Sequence, residues 1–432
     1  MLSIIGIFAT LILLMVLVFK KVNIVVVSIL CAAILAVMDG SNIISVLIGP
    51  FMEGFGGYVT NFFLLFFVSA LFGKVMEESG AAAAIAKYLV SKFGKKYTVV
   101  AVIIACAVLA YGGISALVIA FTMYPIALAM FKEGDYPRYL IPGAIAAGAF
   151  DVVPGSFPGT PQTVNAVASQ YLGTSLSAAP VLGIICGVIG MGLILIYMHR
   201  EGVKAKNNNE HFKASMRDAE TLEKAEAMGD NVNPFIAFVP LILIIMLLII
   251  LEVNVVVAMF AGTLACYVLL YKNVKDKNLN EMLTTSVKNA SNAAINTGAI
   301  VGYGSVVSAS AGFDVLINWL TNLGGSPLLT YGLSTTIISG AAGSGTGGLA
   351  IALETIAPRY LQLGLNPEVI HRVGTISAVG IDSLPHNGAV VALLSLSGMT
   401  HKDSYKQIFV TTVLIAVVVM FIAIFLGTIM YT

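Results

Sequence analysis

Long apolar runs dominate this chain and determine the solvent in which it can fold. A helix rises about 1.5 Å per residue and the hydrocarbon core of a bilayer is about 30 Å thick, so roughly 20 apolar residues cross it. Eight runs reach or approach that length. They cover residues 2–19, 22–37, 55–72, 178–198, 234–251, 253–270, 290–307 and 408–430. The pattern predicts an all-α protein that crosses a membrane several times.

Charged residues are too few for a water-soluble protein of 432 residues. They make up 10% of the sequence, whereas 58% of the residues are hydrophobic and the net charge is only +1. Soluble domains carry about 25% charged residues, and nucleic-acid binders carry a basic patch. The composition therefore argues against both a soluble enzyme and a nucleic-acid binder. No HExxH, GxSxG or GxxxxGK[ST] string occurs, which argues against an enzyme and against an ATP-driven pump. The four cysteines stand singly in apolar runs, so no disulfide, metal or other cofactor is expected.

The two halves of the chain match at a constant offset of 231 residues. At this offset Gly112 meets Gly343, and Asp151 meets Asp382 in a shared DxxP string. Because the offset holds from residue 22 to residue 154, the sequence indicates a duplication. The predicted units are a first repeat (1–198), a polar cytoplasmic linker (199–232) and a second repeat (233–432).

Basic residues fall on opposite ends of matching segments in the two repeats. Lys20 and Lys21 follow the first apolar run, but the equivalent turn near Glu252 has no basic residue; conversely, Lys272 and Lys275 have no first-repeat counterpart. Under the positive-inside rule, the repeats therefore have inverted topology and an odd number of crossings each. Five crossings per repeat, with both termini outside, place all but two of the 23 Lys and Arg in the cytoplasm.

Two apolar segments in each repeat stop before they could cross. Residues 97–130 and 328–357 each contain a glycine-rich break, which predicts a re-entrant helical hairpin, and the next segment of each repeat is a broken transmembrane helix that ends at DxxP. Non-helical backbone survives at membrane depth only where it is buried in protein or lines a polar cavity. Four breaks at matching positions therefore predict one site, as in secondary transporters.

Three strings carry a family resemblance: PGTPQ at 158–162, GSGTGG at 343–348 and LPHNGAVVALLSLSGMTHKDSY at 384–405. With them the chain resembles, over nearly its whole length, the gluconate permease (GntP) family of proton symporters in the larger ion transporter superfamily. The LPHNG string departs from the sugar-acid members. The resemblance implies uptake of a small organic acid with a coupling cation. It also implies a homodimer in which a transport region moves as a unit against a scaffold.

A carboxylate site needs hydrogen-bond donors, and the breaks supply hydroxyls, amides and exposed backbone N–H groups. The alternative for each Ser or Thr is a bond to its own helix backbone. The candidate substrate-binding residues are Gly113, Ser115, Gly159, Thr160, Gln162, Asn165, Ser344, Gly345, Thr346, Asn387 and Gly388.

Asp151 and Asp382 are the candidate coupling-ion residues, because an acid within a membrane segment is rare and usually functional. Each follows a short helix, so its carboxylate is expected at the negative end of that helix dipole, where it would take up a proton. Na⁺ binding and simple capping of the turn are the alternatives. His386, beside the second break, is a third candidate proton carrier or else a structural residue.

Three further charged residues of the second repeat have open roles. Glu354 follows the second glycine-rich break and either lines the cavity or stays neutral. Arg359 and Arg372 are the two exceptions to the positive-inside pattern. Either one of them attracts anions at the outer mouth, or both extend to the membrane interface.

The sequence as a whole predicts a secondary active transporter in the bacterial cytoplasmic membrane. The expected reaction is proton-coupled symport of a small organic carboxylate, either a sugar acid or a short hydroxy or keto acid, by alternating access. A Na⁺-coupled carboxylate symporter and an uncoupled, channel-like facilitator are the alternatives. Uptake and export are both compatible with the residues.

Overall fold

The computed structural model is all-helical in the residues it describes, which are 2–20, 22–215, 218, 221–222, 231–313, 315, 326–385 and 387–431. This confirms the predicted fold class at the level of an all-α protein with many apolar helices. The four cysteines are buried, as expected for small packing residues in helices.

Eleven described α-helices precede residue 208. They are α1 (Leu2–Phe19), α2 (Ile24–Asp39), α3 (Ile43–Val46), α4 (Met52–Glu78), α5 (Ala81–Ser91), α6 (Thr98–Tyr111), α7 (Ala116–Gly134), α8 (Leu140–Ala149), α9 (Val152–Ser156), α10 (Thr163–Leu172) and α11 (Pro180–Asn207), with a 3-10 turn at Lys95–Tyr97.

The described helices after the linker follow the same order. They are α12 (Pro234–Ile249), α13 (Val255–Leu269), α14 (Tyr271–Val274), α15 (Leu279–Ala309), α16 (Pro327–Ala342), α17 (Gly345–Thr355), α18 (Ala357–Gln362), α19 (Pro367–Ala378), α20 (Gly388–Ser397), α21 (His401–Ile408) and α22 (Ile415–Tyr431). Two π-helical turns, Leu47–Phe51 and Phe409–Leu414, continue directly into α4 and α22.

Matching strings begin and end matching helices. Asn23 Oδ1 accepts a hydrogen bond from the Val25 amide at 2.9 Å and so caps α2; Asn254 Oδ1 caps α13 through the Val256 amide, also at 2.9 Å. At the other end, α4 stops at Glu78 and α15 at Ala309, which is again the offset of 231 residues. The sequence correspondence is therefore also a correspondence of helix boundaries.

The halves interlock rather than lying side by side. In one bundle, formed by α1–α4 and α12–α15, α4 packs along α15, while α2 packs on α15 and α13 packs on α4. In a second bundle, formed by α6–α11 and α16–α22 and called here the hairpin bundle, α10 packs on α17 and α19 of the other half. Reciprocally, α20 packs on α7 and α8. Each half thus completes the packing of the other.

Fewer described helices than predicted are long enough to cross a membrane alone. By length and composition, four qualify: Ile43–Glu78, Ala116–Gly134, Pro180–Asn207 and His401–Tyr431; in addition, Ala81–Ser91 and Lys95–Tyr111 form a pair bent by 112°. Many of the other apolar runs form shorter helices. The second arm of the predicted hairpin at 97–130 is α7, which at 19 residues is longer than the 14-residue first arm. Five crossings per repeat stays a prediction.

Candidate functional site

A cavity of about 540 Å³ lies where the two bundles meet. One wall comes from α15 and the start of α2. The opposite wall comes from the hairpin bundle, at the breaks that the sequence singled out. The lining residues used below are Gln162, Thr163, Asn296, Thr297, Ser344, Gly345, Thr346, Asp382, Asn387 and Gly388.

Four helix N-termini point their first turns at this cavity. They belong to α7, α10, α17 and α20, so each half contributes two, and residues 116–117, 163–164, 345–346 and 388–389 line the wall. Polar caps determine where three of these helices begin. Ser115 Oγ accepts from the Val118 amide at 3.5 Å, Ser344 Oγ accepts from the Gly347 amide at 3.2 Å, and Asn387 Oδ1 accepts from the Ala389 amide at 2.7 Å. The structural partner of Ser115 is therefore Ser344, two residues before the position given by the constant offset.

The cavity wall contains no Lys or Arg, and Asp382 is the one charged residue among its described lining. Positive potential at this wall therefore comes from the helix N-termini, each equivalent to about half a unit charge. Some of the backbone N–H groups at these N-termini have no hydrogen-bond acceptor in the part of the chain that the structure describes. Among the described residues, no protein acceptor pairs with the backbone amides of Thr163, Thr346 or Gly388, while the Thr163 and Thr346 hydroxyls lie 3.2 Å apart. This wall can donate several hydrogen bonds to an anion without holding a fixed positive charge.

The two acids of the DxxP strings meet beside the cavity. Ser383 Oγ lies 3.1 Å from Asp151 Oδ1 and 3.0 Å from Asp382 Oδ1, so one hydroxyl bridges the carboxylates of the two halves. Asp151 is only 2% exposed. Two carboxylates this close in a dry site repel each other strongly unless a proton or a cation is shared between them.

The surroundings of Asp382 differ from the expectation. Its Oδ2 accepts a hydrogen bond of 2.9 Å from the Gly345 amide, which belongs to the positive end of α17. The sequence suggested the negative end of the preceding helix. The difference arises because the glycine-rich break places the start of α17 against the end of α19, a tertiary contact that sequence spacing does not encode. Thr412, in the second π-helical turn, lies beside Asp151.

Two amide side chains stabilise the breaks. Gln162 Nε2 donates to the carbonyl oxygens of Ala110, at 2.6 Å, and Ile114, at 3.0 Å. Asn387 Nδ2 donates to the carbonyl oxygens of Gly343, at 3.2 Å, and Asp382, at 3.1 Å. Both residues line the cavity, but these donors are already used by backbone that would otherwise be unpaired at membrane depth.

Five of the predicted substrate-binding residues lie away from the cavity lining: Gly113, Ser115, Gly159, Thr160 and Asn165. Gly113 adopts a φ of +91° where the chain turns against Pro161. Thr160 is fully buried and donates to the Tyr111 carbonyl at 3.3 Å. These residues shape the backbone behind the site. Ser115 acts as the cap of α7 described above. His386 lies outside the described residues.

A buried polar network that the sequence did not indicate centres on Arg372. This side chain is fully buried, which excludes both the interfacial and the outer-mouth role suggested for it. Its Nε and Nη2 donate to the Ala178 carbonyl, at 3.1 and 3.0 Å, and Nη1 lies 3.3 Å from Asn165 Oδ1. Asn165 Oδ1 also lies 2.8 Å from His371 Nε2. The network joins α19 of one half to the chain around α10 of the other.

Arg138 makes the corresponding link from the other half. It precedes α8, the counterpart of α19, and its Nη2 donates to the Ser397 carbonyl at the end of α20, at 2.8 Å. The same nitrogen lies 3.1 Å from Asp218 Oδ1, and Asp218 is only 2% exposed. The linker is therefore docked on the protein at this point. Arg372 and Arg138 thus each link one half of the hairpin bundle to the other.

The remaining charged candidates have simple surroundings. Glu354 Oε1 accepts a hydrogen bond of 2.8 Å from Ser305 Oγ, which links α17 to α15. Arg359 is exposed. Sequence reasoning missed Thr163, Asn296 and Thr297 as cavity-lining residues. Thr163 directly follows the PGTPQ string, so its position at a helix start could have identified it as a lining residue. Asn296 and Thr297 lie within a long helix, where no sequence feature distinguishes them.

Comparison with known proteins agrees with a transporter fold. The profile of the citrate transporter family, CitMHS, matches residues 14–284. The chain is 32% identical over 417 residues to YxjC of Bacillus subtilis (strain 168), described as an uncharacterized transporter, with 87% of this chain and 88% of that protein aligned. It is 28% identical to a gluconate permease of Bacillus licheniformis over 195 residues, 44% of this chain and 42% of the permease.

Two solved structures share the fold at low identity. The YdaH transporter of Alcanivorax borkumensis, reported to have an unusual topology, matches with a TM-score of 0.56 at 15% identity, covering 89% of this chain and 87% of that one. MtrF of Neisseria gonorrhoeae, from a class of antimetabolite efflux pumps, matches with a TM-score of 0.55 at 15% identity, covering 89% and 84%. The matched family and these relatives are transporters and permeases. The chain is a multi-pass membrane transporter that belongs to the citrate transporter family, CitMHS.

Proposed function

We propose that this protein is a secondary active transporter that carries a small organic carboxylate together with a proton. The observation that supports this most is the convergence of four helix N-termini on a cavity without Lys or Arg, next to a pair of acids bridged by Ser383. Helix N-termini bind carboxylates through backbone amides and the helix dipole. The helix N-termini attract an anion, and the described wall has no Lys or Arg that would hold the anion too tightly for release.

The coupling proton is assigned to the acid pair. Because Asp151 is buried and shares a hydroxyl with Asp382, the pair holds a proton more readily than two separate carboxylates would. Asp382 also accepts from the first amide of α17, whose neighbouring residues face the cavity. A change of protonation at the pair therefore alters the same helix terminus that receives the substrate, which links the two binding events.

The substrate class follows from the size and polarity of the cavity. A volume of about 540 Å³ suits a small organic acid with its hydration. Thr163, Thr346 and Asn296 add polar groups that suit the hydroxyls of a hydroxy acid or sugar acid. The family profile is named for citrate, and partial matches are gluconate permeases. We propose a hydroxylated carboxylate of this size, and the GntP-like proton symport that the strings at 158–162 and 384–405 imply.

The architecture proposed for transport is an inverted repeat with two re-entrant hairpins, α6–α7 and α16–α17, and two broken helices at the DxxP strings. The common helix boundaries and the reciprocal packing of α10 and α20 support two equivalent halves. The hairpin bundle is the moving part, and the bundle around α4 and α15 is the scaffold. By resemblance, the scaffold forms a homodimer in the cytoplasmic membrane.

Uptake into proteoliposomes tests the proton coupling. With an outside pH about one unit below the inside pH and no Na⁺, labelled citrate or gluconate is expected to accumulate about tenfold per coupled proton, because one pH unit corresponds to about 1.4 kcal/mol. A protonophore should collapse the gradient of substrate. Accumulation that follows Na⁺ and ignores pH would replace the proton by sodium. Equilibration without accumulation under either gradient would identify an uncoupled facilitator and contradict the proposal.

A further inference from the structure

A second polar recess lies at the end of α11 where basic residues concentrate, the end that the positive-inside pattern assigns to the cytoplasm. It has a volume of about 330 Å³ and lies between the end of α11, the start of α8 and α21. None of its lining residues lines the transport cavity. Its lining residues are Tyr139, Glu201, Lys204, Ala205, Asn208, Glu210, Lys402, Asp403, Lys406 and Gln407.

The floor of this recess is an amide without a partner. Gln407 is only 4% exposed, yet among the described residues its side-chain amide has no hydrogen-bond partner. The amide atoms are not fully enclosed, so they can pair with water or with a ligand that enters the recess. A ligand that reaches the floor would supply both an acceptor and a donor.

The rim carries three ammonium groups that are also free. Lys204, Lys402 and Lys406 line the recess, and no described acceptor lies within hydrogen-bond distance of their Nζ atoms. The three lysines come from two separate helices, so their convergence is a property of the fold. Lysine side chains bind phosphate oxygens well.

Two of the three carboxylates in the recess are already occupied. Glu210 Oε2 accepts from the Tyr139 hydroxyl at 2.7 Å, which lowers the pKa of Glu210. Asp403 Oδ2 accepts from the Thr400 hydroxyl and amide, at 2.7 and 2.8 Å, which lowers the pKa of Asp403. Both remain ionised at neutral pH, and each already accepts hydrogen bonds from the protein. Glu201 has no such donor, so a ligand here needs an anionic group for the lysines and a hydroxyl for Glu201.

We propose that this recess binds a phosphorylated polyol of glycerol-phosphate chemistry, with the phosphate at Lys204, Lys402 and Lys406 and a hydroxyl at the Gln407 amide. The charges favour a single phosphate group rather than a larger polyanion, since three carboxylates balance the three lysines. The phosphate oxygens outnumber those of a carboxylate and match the three ammonium groups.

The site would connect the linker to the hairpin bundle. Asn208 and Glu210 lie in the linker directly after α11, and α21 belongs to the hairpin bundle. Nearby, His211 Nδ1 lies 2.7 Å from Asp135 Oδ2, which further docks the linker at the start of the segment before α8. A ligand that bridges α11 and α21 strengthens this docking, so its binding is expected to raise the thermal unfolding midpoint.

Calorimetric titration of the detergent-purified, full-length protein with glycerol 3-phosphate tests the site. We expect saturable binding that weakens at least tenfold in the Lys402→Gln/Lys406→Gln variant. Lys272→Gln/Lys288→Gln removes two exposed lysines elsewhere and is the matched control, which should bind within twofold of the unmodified protein. Binding should also survive Asp382→Asn, because that residue lies in the transport cavity. Equal affinities in the site and control variants would overturn the proposal.

A second variant separates binding from folding. Because the Gln407 amide lacks a partner, Gln407→Met is expected to keep or raise the unfolding midpoint while weakening binding at least tenfold. A lower midpoint with unchanged binding would contradict the assignment of the floor. Nanodiscs with and without phosphatidylglycerol identify the source of the ligand. A midpoint shift that needs this lipid and is lost in Lys402→Gln/Lys406→Gln assigns the site to the lipid headgroup, and a shift with free glycerol 3-phosphate alone assigns it to a soluble ligand.

Discussion

Replacing Asp382 by Asn is expected to abolish proton-driven accumulation while leaving substrate exchange in place. Asn retains an oxygen that can accept from the Gly345 amide, so the contact between the second break and α17 is kept. It cannot exchange a proton with Asp151 through Ser383. Under a pH gradient of about one unit, the accumulation ratio should fall from about ten to about one. Counterflow, in which labelled substrate exchanges for unlabelled substrate, should persist.

The measurement is paired uptake and counterflow in the same proteoliposomes. Asp151→Asn should reproduce the phenotype, because the proton belongs to the pair rather than to one residue. Asp276→Asn changes an exposed acid that has no ion pair or hydrogen bond with the described residues, and it is the matched control, with accumulation expected to be unchanged. If Asp382→Asn still concentrates substrate in response to pH, the acid pair does not carry the coupling proton.

Two adjacent glycines of the second break should respond in opposite ways to the same change. A Cβ at Gly348 would lie 2.2 Å from Ser339 Cα on α16, so Gly348→Ala must separate the arms of the hairpin. We expect it to lower the free energy of unfolding by at least about 2 kcal/mol and to reduce transport at least tenfold. A Cβ at Gly347 would meet nothing closer than 3.3 Å, the flexible Ser344 hydroxyl. Gly347→Ala is therefore expected to be neutral or to stabilise by up to about 1 kcal/mol.

Thermal unfolding in detergent and uptake rates together check this pair of variants. Because the two positions differ by one residue, both substitutions change composition and depth in the membrane equally. If Gly347→Ala and Gly348→Ala both lower stability, the close approach of α17 to α16 at Gly348 is not the reason for the loss. The result would mean that any side chain in the glycine-rich string is destabilising.

Much of the fold could be predicted from the sequence, because local interactions determine where many of the helices begin and end. Asn23 and Asn254 each cap the helix that follows, and a cap needs only neighbouring backbone. The fixed offset, visible in Gly112 and Gly343, reappears as common helix boundaries. The unequal arms of the first hairpin and the π-helical turns were not predicted, since packing of distant helices decides them.

The site was predictable in part for the same reason. The residues at the breaks could be identified because unpaired backbone is costly in a membrane, and several of them line one cavity. Their individual roles could not be separated. Asn165 and Gln162 have similar side chains and lie three residues apart, yet Asn165 binds His371 and Arg372 while Gln162 holds a break together. Only the partner half of the chain distinguishes them.

The reciprocal packing of α10 and α20 has an implication for how such a chain arose. A single repeat supplies only two of the four helix starts at the cavity and only one of the two bridged acids. A protein made from one repeat would have half a binding site, with α10 or α20 lacking the surface on which it packs. A one-repeat ancestor of this chain would therefore need a second identical chain to complete both the site and the packing. In a single chain, unlike a pair of identical chains, the two acids can have different surroundings, and here Asp151 is enclosed while Asp382 lies at the cavity wall.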